Sequence, residues 1–145
     1  METELKTTKI NHLGVAVQDI EATRQIYEAM GLEITEIIDV PEQKVRVAFI
    51  PIGESTIELV QPTDPDSTVA RYLQQWGPGL HHLALGVEDI HESLSELRQH
   101  GSRLIDEMPR QGAEGQIAFL HPKSTDGVLI ELVEPEIDSE KGDPA

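Results

Sequence analysis

An α+β fold made of two βαβββ modules, related by a pseudo-twofold axis and sharing one curved mixed sheet, is what this sequence predicts. Three observations carry the prediction. The stretch "INHLGVAVQDI" (Ile10–Ile20) returns seventy residues later as "LHHLALGVEDI" (Leu80–Ile90). Gly31 and Ala48–Phe49 keep that offset to Gly101 and Ala118–Phe119. Finally "IELVQP" (Ile57–Pro62) returns as "IELVEP" (Ile130–Pro135) at an offset of 73, so three residues are inserted between Phe119 and Ile130. Agreement in this order marks a duplicated unit. The insertion falls in the turn "HPKSTDG" (His121–Gly127), which replaces the shorter "PIGES" (Pro51–Ser55) of the first half.

Each element has a local reason. "KINHLGVAV" (Lys9–Val17) alternates and is rich in β-branched residues, which predicts a strand. Asp19 stands where a helix N-cap belongs, and Gly31 closes the helix as a C′ glycine does. Strands are expected over about 34–40, 44–51 and 55–61. A linker, 63–78, follows, with a short helix near Val69–Gln75. The second unit opens with a strand from Gly79. Asp89 and Glu92 resemble a capping box, Ile90, Leu94 and Leu97 form an apolar helical stripe, and Gly101 ends the helix. Strands near 103–107, 115–121 and 127–133 complete it. The expected organisation is one domain, 9–135, made of repeats 9–62 and 79–135. The polar tail, 136–145, is expected to fray.

The 145 residues are enough for one compact core, and 38% of them are hydrophobic. With 11 Lys and Arg against 27 Asp and Glu, the formal charge of −16 argues against nucleic acid, which needs a basic face. An apolar run long enough to span a bilayer is absent, as is a charged-then-apolar leader; no membrane association and a cytoplasmic address are expected. The lack of cysteine is compatible with that address.

Strict alternation would put Ile10, His12, Gly14 and Ala16 on one face of the first strand, with Leu13, Val15 and Val17 packed under the helix. The same parity places His82 beside Ala84 and Gly86. Small neighbours around each histidine suit a cavity. Glu58 and Glu131 interrupt the apolar runs "TIELV" and "LIELV", and a carboxylate in such surroundings needs a partner. If the modules pack about a pseudo-twofold axis, His12, Glu58, His82 and Glu131 converge. Two imidazoles and two carboxylates form an N/O site for a divalent metal, leaving two positions of a six-coordinate ion for a bidentate substrate. His81, His91, His100 and His121 lack this double matching; His91 and His100 read as solvated helix residues.

At these residues the sequence resembles the vicinal oxygen chelate superfamily, and within it the methylmalonyl-CoA epimerase family, from about Lys9 to Glu134. "INHLGVAV", "IELVQPTDPDSTVA" and "GLHHLAL" are shared in style across the superfamily. "PEQKVRVAF" and "HPKSTDGVLIEL" are narrower and carry the likeness to the epimerases, and "RLIDEMPRQGA" is a further matching stretch. The resemblance implies an isomerase that interconverts (R)- and (S)-methylmalonyl-CoA, between propionyl-CoA and succinyl-CoA. It implies His12, Glu58, His82 and Glu131 as metal ligands, cobalt or a similar divalent ion (Mn, Ni, Zn) as cofactor, and a homodimer.

Inverting C2 means removing a proton beside a thioester carbonyl and returning one to the opposite face. Metal bound to the thioester oxygen and the free carboxylate would stabilise the enolate. Glu131 is the implied proton-transfer group for one face. Some relatives carry a further glutamate in the strand after "PEQ"; here Val47 stands at that place. For the second face, Glu58, the symmetry mate of Glu131, ranks ahead of a metal-bound water. Lys123 and the hydroxyls of Ser124 and Thr125 are candidate substrate contacts, Lys123 for a phosphate. Gln43, Lys44 and Arg46 offset the local acidity. Two rival readings share the superfamily. One is glyoxalase I, which uses a similar ligand set. The other is a metal-free module of the bleomycin-resistance kind, which needs an aromatic groove that 3% aromatics does not supply.

Overall fold

The computed structural model describes residues 7–136. The first half contains β1 (Thr7–Ala16), α1 (Ile20–Ala29), β2 (Glu36–Val40), β3 (Val45–Ile52) and β4 (Ser55–Pro62). The helix α2 (Thr68–Trp76) follows. The second half contains β5 (Gly79–Val87), α3 (Ile90–Gln99), β6 (Arg110–Gln111), β7 (Gly115–Phe119) and β8 (Ile130–Pro135). A single 3-10 turn, Pro122–Ser124, occupies the inserted segment.

All eight strands form one sheet in the order β2-β3-β4-β1-β5-β8-β7-β6. Exchanging the two halves reverses this order, which is what a pseudo-twofold axis requires. Within each half the first and last strands are parallel, β1 with β4 and β5 with β8. The halves join through an antiparallel β1–β5 ladder in which Leu13 pairs with Leu83. These two are repeat equivalents, so the axis passes between them.

The core repeats as well. Val17, Ile20, Ala48, Ile50 and Leu59 form one buried cluster under α1. Their counterparts Val87, Ile90, Ala118, Leu120 and Leu132 form another under α3, joined by Leu94. The opposite face of the sheet carries Val45, Val47, Phe49 and Val60, covered by Val69 and Leu73 of α2. The linker helix thus roofs the inner face of the first half.

Both helices begin as their sequences predict: Asp19 caps the Glu21 N–H and Asp89 caps the Glu92 N–H. The repeat "IELVQP/IELVEP" adds a second tie. Gln61 Oε1 accepts from Ile20 N (2.8 Å), and Glu134 Oε1 accepts from Ile90 N (2.9 Å). The last strand of each half therefore closes the helix that the first strand launched.

Two expectations are corrected. Residues 103–107 do not form a strand; Leu104 makes an isolated bridge to Leu120. Beyond it the Ile105 and Asp106 N–H groups both fall on Phe119 O, and the Asp106 carboxylate takes the Phe119 N–H that a ladder would use. Regular pairing resumes at Arg110–Gln111. Ile10 does not share the inner face with His12; it is 49% exposed, for a reason given by the bulge at Asn11. The expected tail, beyond Glu136, lies outside the described residues.

Replacing Glu134 by Ala leaves a half-buried helix-terminal N–H without its acceptor. Urea unfolding should show a loss of about 1 kcal/mol, the usual scale for a deleted helix cap.

Candidate metal centre

The site lies on the inner face, where the β1–β5 ladder crosses the axis. His12 pairs with Ala84 and Gly14 with His82, so each histidine sits opposite a small residue. A Cβ on Gly14 would lie 2.1 Å from His82 Cε1. The glycine is needed there for space: the imidazole lies directly over the Gly14 backbone.

The ladder slips by one residue between Ile10 and His12 on β1, and between Leu80 and His82 on β5. The bulged residues are Asn11 and His81, again repeat equivalents. A bulge re-aims a side chain, and here each one turns the preceding residue toward its neighbouring histidine. Asn11 Oδ1 lies 2.7 Å from His12 Nδ1, and His81 Nδ1 lies 2.9 Å from His82 Nδ1. A carbonyl oxygen only accepts, so its contact assigns the proton to His12 Nδ1 and leaves Nε2 as a lone pair. His82 takes the same tautomer when it donates to His81. Burial, then the neighbouring His82, lowers the His81 pKa to about 4, which keeps that ring neutral and able to accept. Tyr72 of α2 stacks edge-on against His81 and fixes it from above.

The two Nε2 atoms meet Glu131. His12 Nε2 and His82 Nε2 are 3.1 Å apart, and they lie 3.2 and 3.0 Å from Glu131 Oε1. Donors bound about 2.1 Å from one ion and at right angles lie about 3.0 Å apart, so the triad has the spacing of three adjacent ligands. Facing lone pairs at such separations call for a proton or a cation between them.

Glu58 lies at the other edge of His12. Its Oε2 is 3.1 Å from His12 Nδ1, but that N–H is directed at Asn11, and the oxygen is left buried without a hydrogen-bond partner. Glu114, on the loop between β6 and β7, brings a carboxylate oxygen within 4.8 Å of ligand atoms of Glu58 and His12. Burial first, then Glu114, pushes the Glu58 carboxyl far above the usual carboxylate range. Burial would raise Glu131 too, but the two imidazoles at its edge outweigh it and hold that carboxyl at about 2. Two groups with metal-ligating atoms result, His12–His82–Glu131 and His12–Glu58–Glu114, and they share only His12.

These side chains floor a cleft walled by Val40, Val45, Val47, Val60, Val69 and Phe119. Gln43 lines it. Lys123 and Ser124 do not; they border a separate surface cavity with His100 and Arg103. The Ser124 hydroxyl bridges the Arg103 backbone, accepting from its N–H and donating to its carbonyl. Thr125 bonds Pro122 O and Val128 O within its own turn, and Arg46 pairs with Asp39 on the surface. Sequence reasoning missed Asn11, His81 and Glu114. The first two stand just before the paired histidines, a signal that was present. Glu114 has no counterpart in the first half, where the offset of 70 falls on Lys44.

A model of the Glyoxalase/Bleomycin resistance protein/Dioxygenase superfamily matches residues 11–119. The uncharacterized protein YqjC of Bacillus subtilis is 43% identical over 132 residues, covering 90% of this chain and 94% of that protein. The mitochondrial methylmalonyl-CoA epimerase of Bos taurus is 35% identical over 127 residues, covering 86% and 73%. A variant of the Streptomyces coelicolor methylmalonyl-CoA epimerase, in complex with 2-nitronate-propionyl-CoA, superposes with a TM-score of 0.87. Its identity is 38%, covering 91% of this chain and 97% of that one.

Gly14→Ala forces the His82 ring off the triad. Titration calorimetry with cobalt(II) should show affinity lowered by about 10–100-fold, the range for disturbing a ligand's support. Unchanged affinity would mean that His82 is not a ligand.

Proposed function

The chain belongs to the glyoxalase/bleomycin resistance protein/dioxygenase superfamily, and from that membership we propose that it works as a methylmalonyl-CoA epimerase. It is an isomerase that interconverts the (R) and (S) forms of a CoA thioester. The observation that carries this reading is 35% and 38% identity to methylmalonyl-CoA epimerases over 86% and 91% of the chain; the buried histidine–carboxylate floor supplies the chemistry. A glyoxalase I would use the same ligand types, so the substrate assignment rests on that identity rather than on the triad.

We assign His12 Nε2, His82 Nε2 and Glu131 to a divalent metal, with Glu58 as the fourth ligand. The mixed N/O set suits Co²⁺, our preferred ion, and equally accommodates Mn²⁺, Ni²⁺ or Zn²⁺. When bound, the ion contributes positive charge that stabilises the enolate. The protein's own residues do the rest. Asn11 and His81 fix the imidazole tautomers. The valine-lined wall strips water from around the thioester and strengthens every electrostatic contact within. Glu131, ionised at working pH, accepts the C2 proton on its side.

Lys123, with His100 and Arg103 around the same cavity, forms a basic spot on an acidic protein, and we assign it to the CoA phosphates. Ile10, Leu13 and Leu80 lie exposed on the seam between halves, which supports a homodimer as the working assembly. The absence of cysteine supports a cytoplasmic setting. Among the described residues, no helix is long and apolar enough to cross a membrane.

Metal-loaded protein in D₂O should exchange the C2 proton of methylmalonyl-CoA and invert the centre by NMR. Protein stripped with EDTA should do neither until cobalt is restored. Glyoxalase activity in place of both would overturn the substrate assignment. Lys123→Ala should raise KM several-fold with kcat within about twofold, the signature of lost uniform binding.

A further inference from the structure

Inversion at carbon needs a second proton-transfer group, on the face opposite Glu131. We propose that this group is Glu114, an assignment that rests on the epimerase reading. Position is the first argument. The two ring nitrogens of His12 divide the floor of the cleft: Glu131 and His82 meet Nε2, while Glu58 lies at Nδ1 with Glu114 beside it. Glu131 and Glu114 thus flank the same imidazole from opposite edges.

Elimination is the second. Glu58, Glu114 and Glu131 are the carboxyls among the described residues lining the cleft. Glu131 serves one side; of the two carboxyls at the opposite edge of His12, Glu58 is buried and Glu114 is the more exposed. On β3, where the family resemblance would put an acid, Val47 presents an apolar side chain that carries no proton. Glu114 is half-buried. It lines the cleft and yet can exchange its proton with solvent between turnovers, as a group that alternates between acid and base must.

The third argument is how firmly its backbone is held. Gly112 N donates to Gly115 O (2.8 Å), closing the loop, and Glu136 N donates to Glu114 O (3.1 Å), tying it to the end of β8. Gly115 sits at φ +152°, where an added Cβ would fall 2.3 Å from Glu134 O. Only glycine lets the loop lie so close to β8, and that approach places Glu114 over the cleft. Its carboxylate lies within 4.8 Å of the ligand atoms of Glu58 and His12.

The proton balance closes without any further reagent. In one direction Glu131 takes the C2 proton, the C–H electron pair becomes the enolate, and Glu114 as a carboxylic acid returns its own proton to the opposite face of C2. Glu131 is left protonated and Glu114 ionised; exchange with water resets both, and the reverse direction swaps the roles.

The test is Glu114→Gln, followed by NMR in D₂O starting from each epimer separately. Inversion should fall at least about 100-fold, within the range expected for one acid–base group. Deuterium should still enter C2 with retention from one epimer, through Glu131, while the other stays inert. Metal content by plasma emission should equal that of wild type, separating a proton-transfer role from a ligand role. Inversion within about threefold of wild type, or a loss of bound metal, overturns the assignment while the epimerase reading stands. A wild-type protein that neither exchanges nor inverts removes the epimerase reading, and the assignment falls with it.

Discussion

The antiparallel ladder between β1 and β5 is the constraint on which the rest depends. Because Leu13 pairs with Leu83, the axis runs between them, and the residues on either side are brought near their counterparts in the other half. His12 and His82 meet for that reason, and no loop is needed to bring them together. Side chains on paired central strands are also held more rigidly than side chains on loops. A one-residue slip in this register would turn both histidines to the other face. The helices, the outer strands and the paired caps from Gln61 and Glu134 brace a register that the site requires.

The ladder is regular enough to fix the axis and irregular where the chemistry needs it. A perfect β1 would point Asn11 away from His12, leaving the imidazole with no fixed tautomer. The matched bulges cost two ladder positions and return two oriented rings. Gly14 and Ala84 supply the other half of the arrangement, as space beneath each ring. The same four residues in flat strands would form a cluster of titratable groups without defined lone pairs.

The repeat made the centre legible. His12, Glu58, His82 and Glu131 could be chosen because each occurs at a doubled position in an otherwise apolar strand, and the topology follows from the same doubling. What the sequence hid was whatever departs from period two or from the repeat. Bulges leave no composition signal, so Ile10 was expected inside and Asn11 outside. The segment 103–107 has a strand's residues, but Asp106 diverts the Phe119 N–H from the ladder. Lys123 and Ser124, attractive as an unpaired insertion, sit at a different cavity because the turn folds back on Arg103. Glu114 was invisible because it belongs to one half only.

That last residue shows how a symmetric scaffold can run an asymmetric reaction. Glu58 and Glu131 occupy equivalent positions with equivalent burial, and burial alone would raise both. Their partners differ: Glu131 lies between two imidazoles, which draw it down, whereas Glu58 faces the carboxyl of Glu114, which pushes it further up. One duplicated glutamate has therefore acquired two opposite acidities from its neighbours. Duplication supplied matched ligands, and a glutamate present in only one half broke the match.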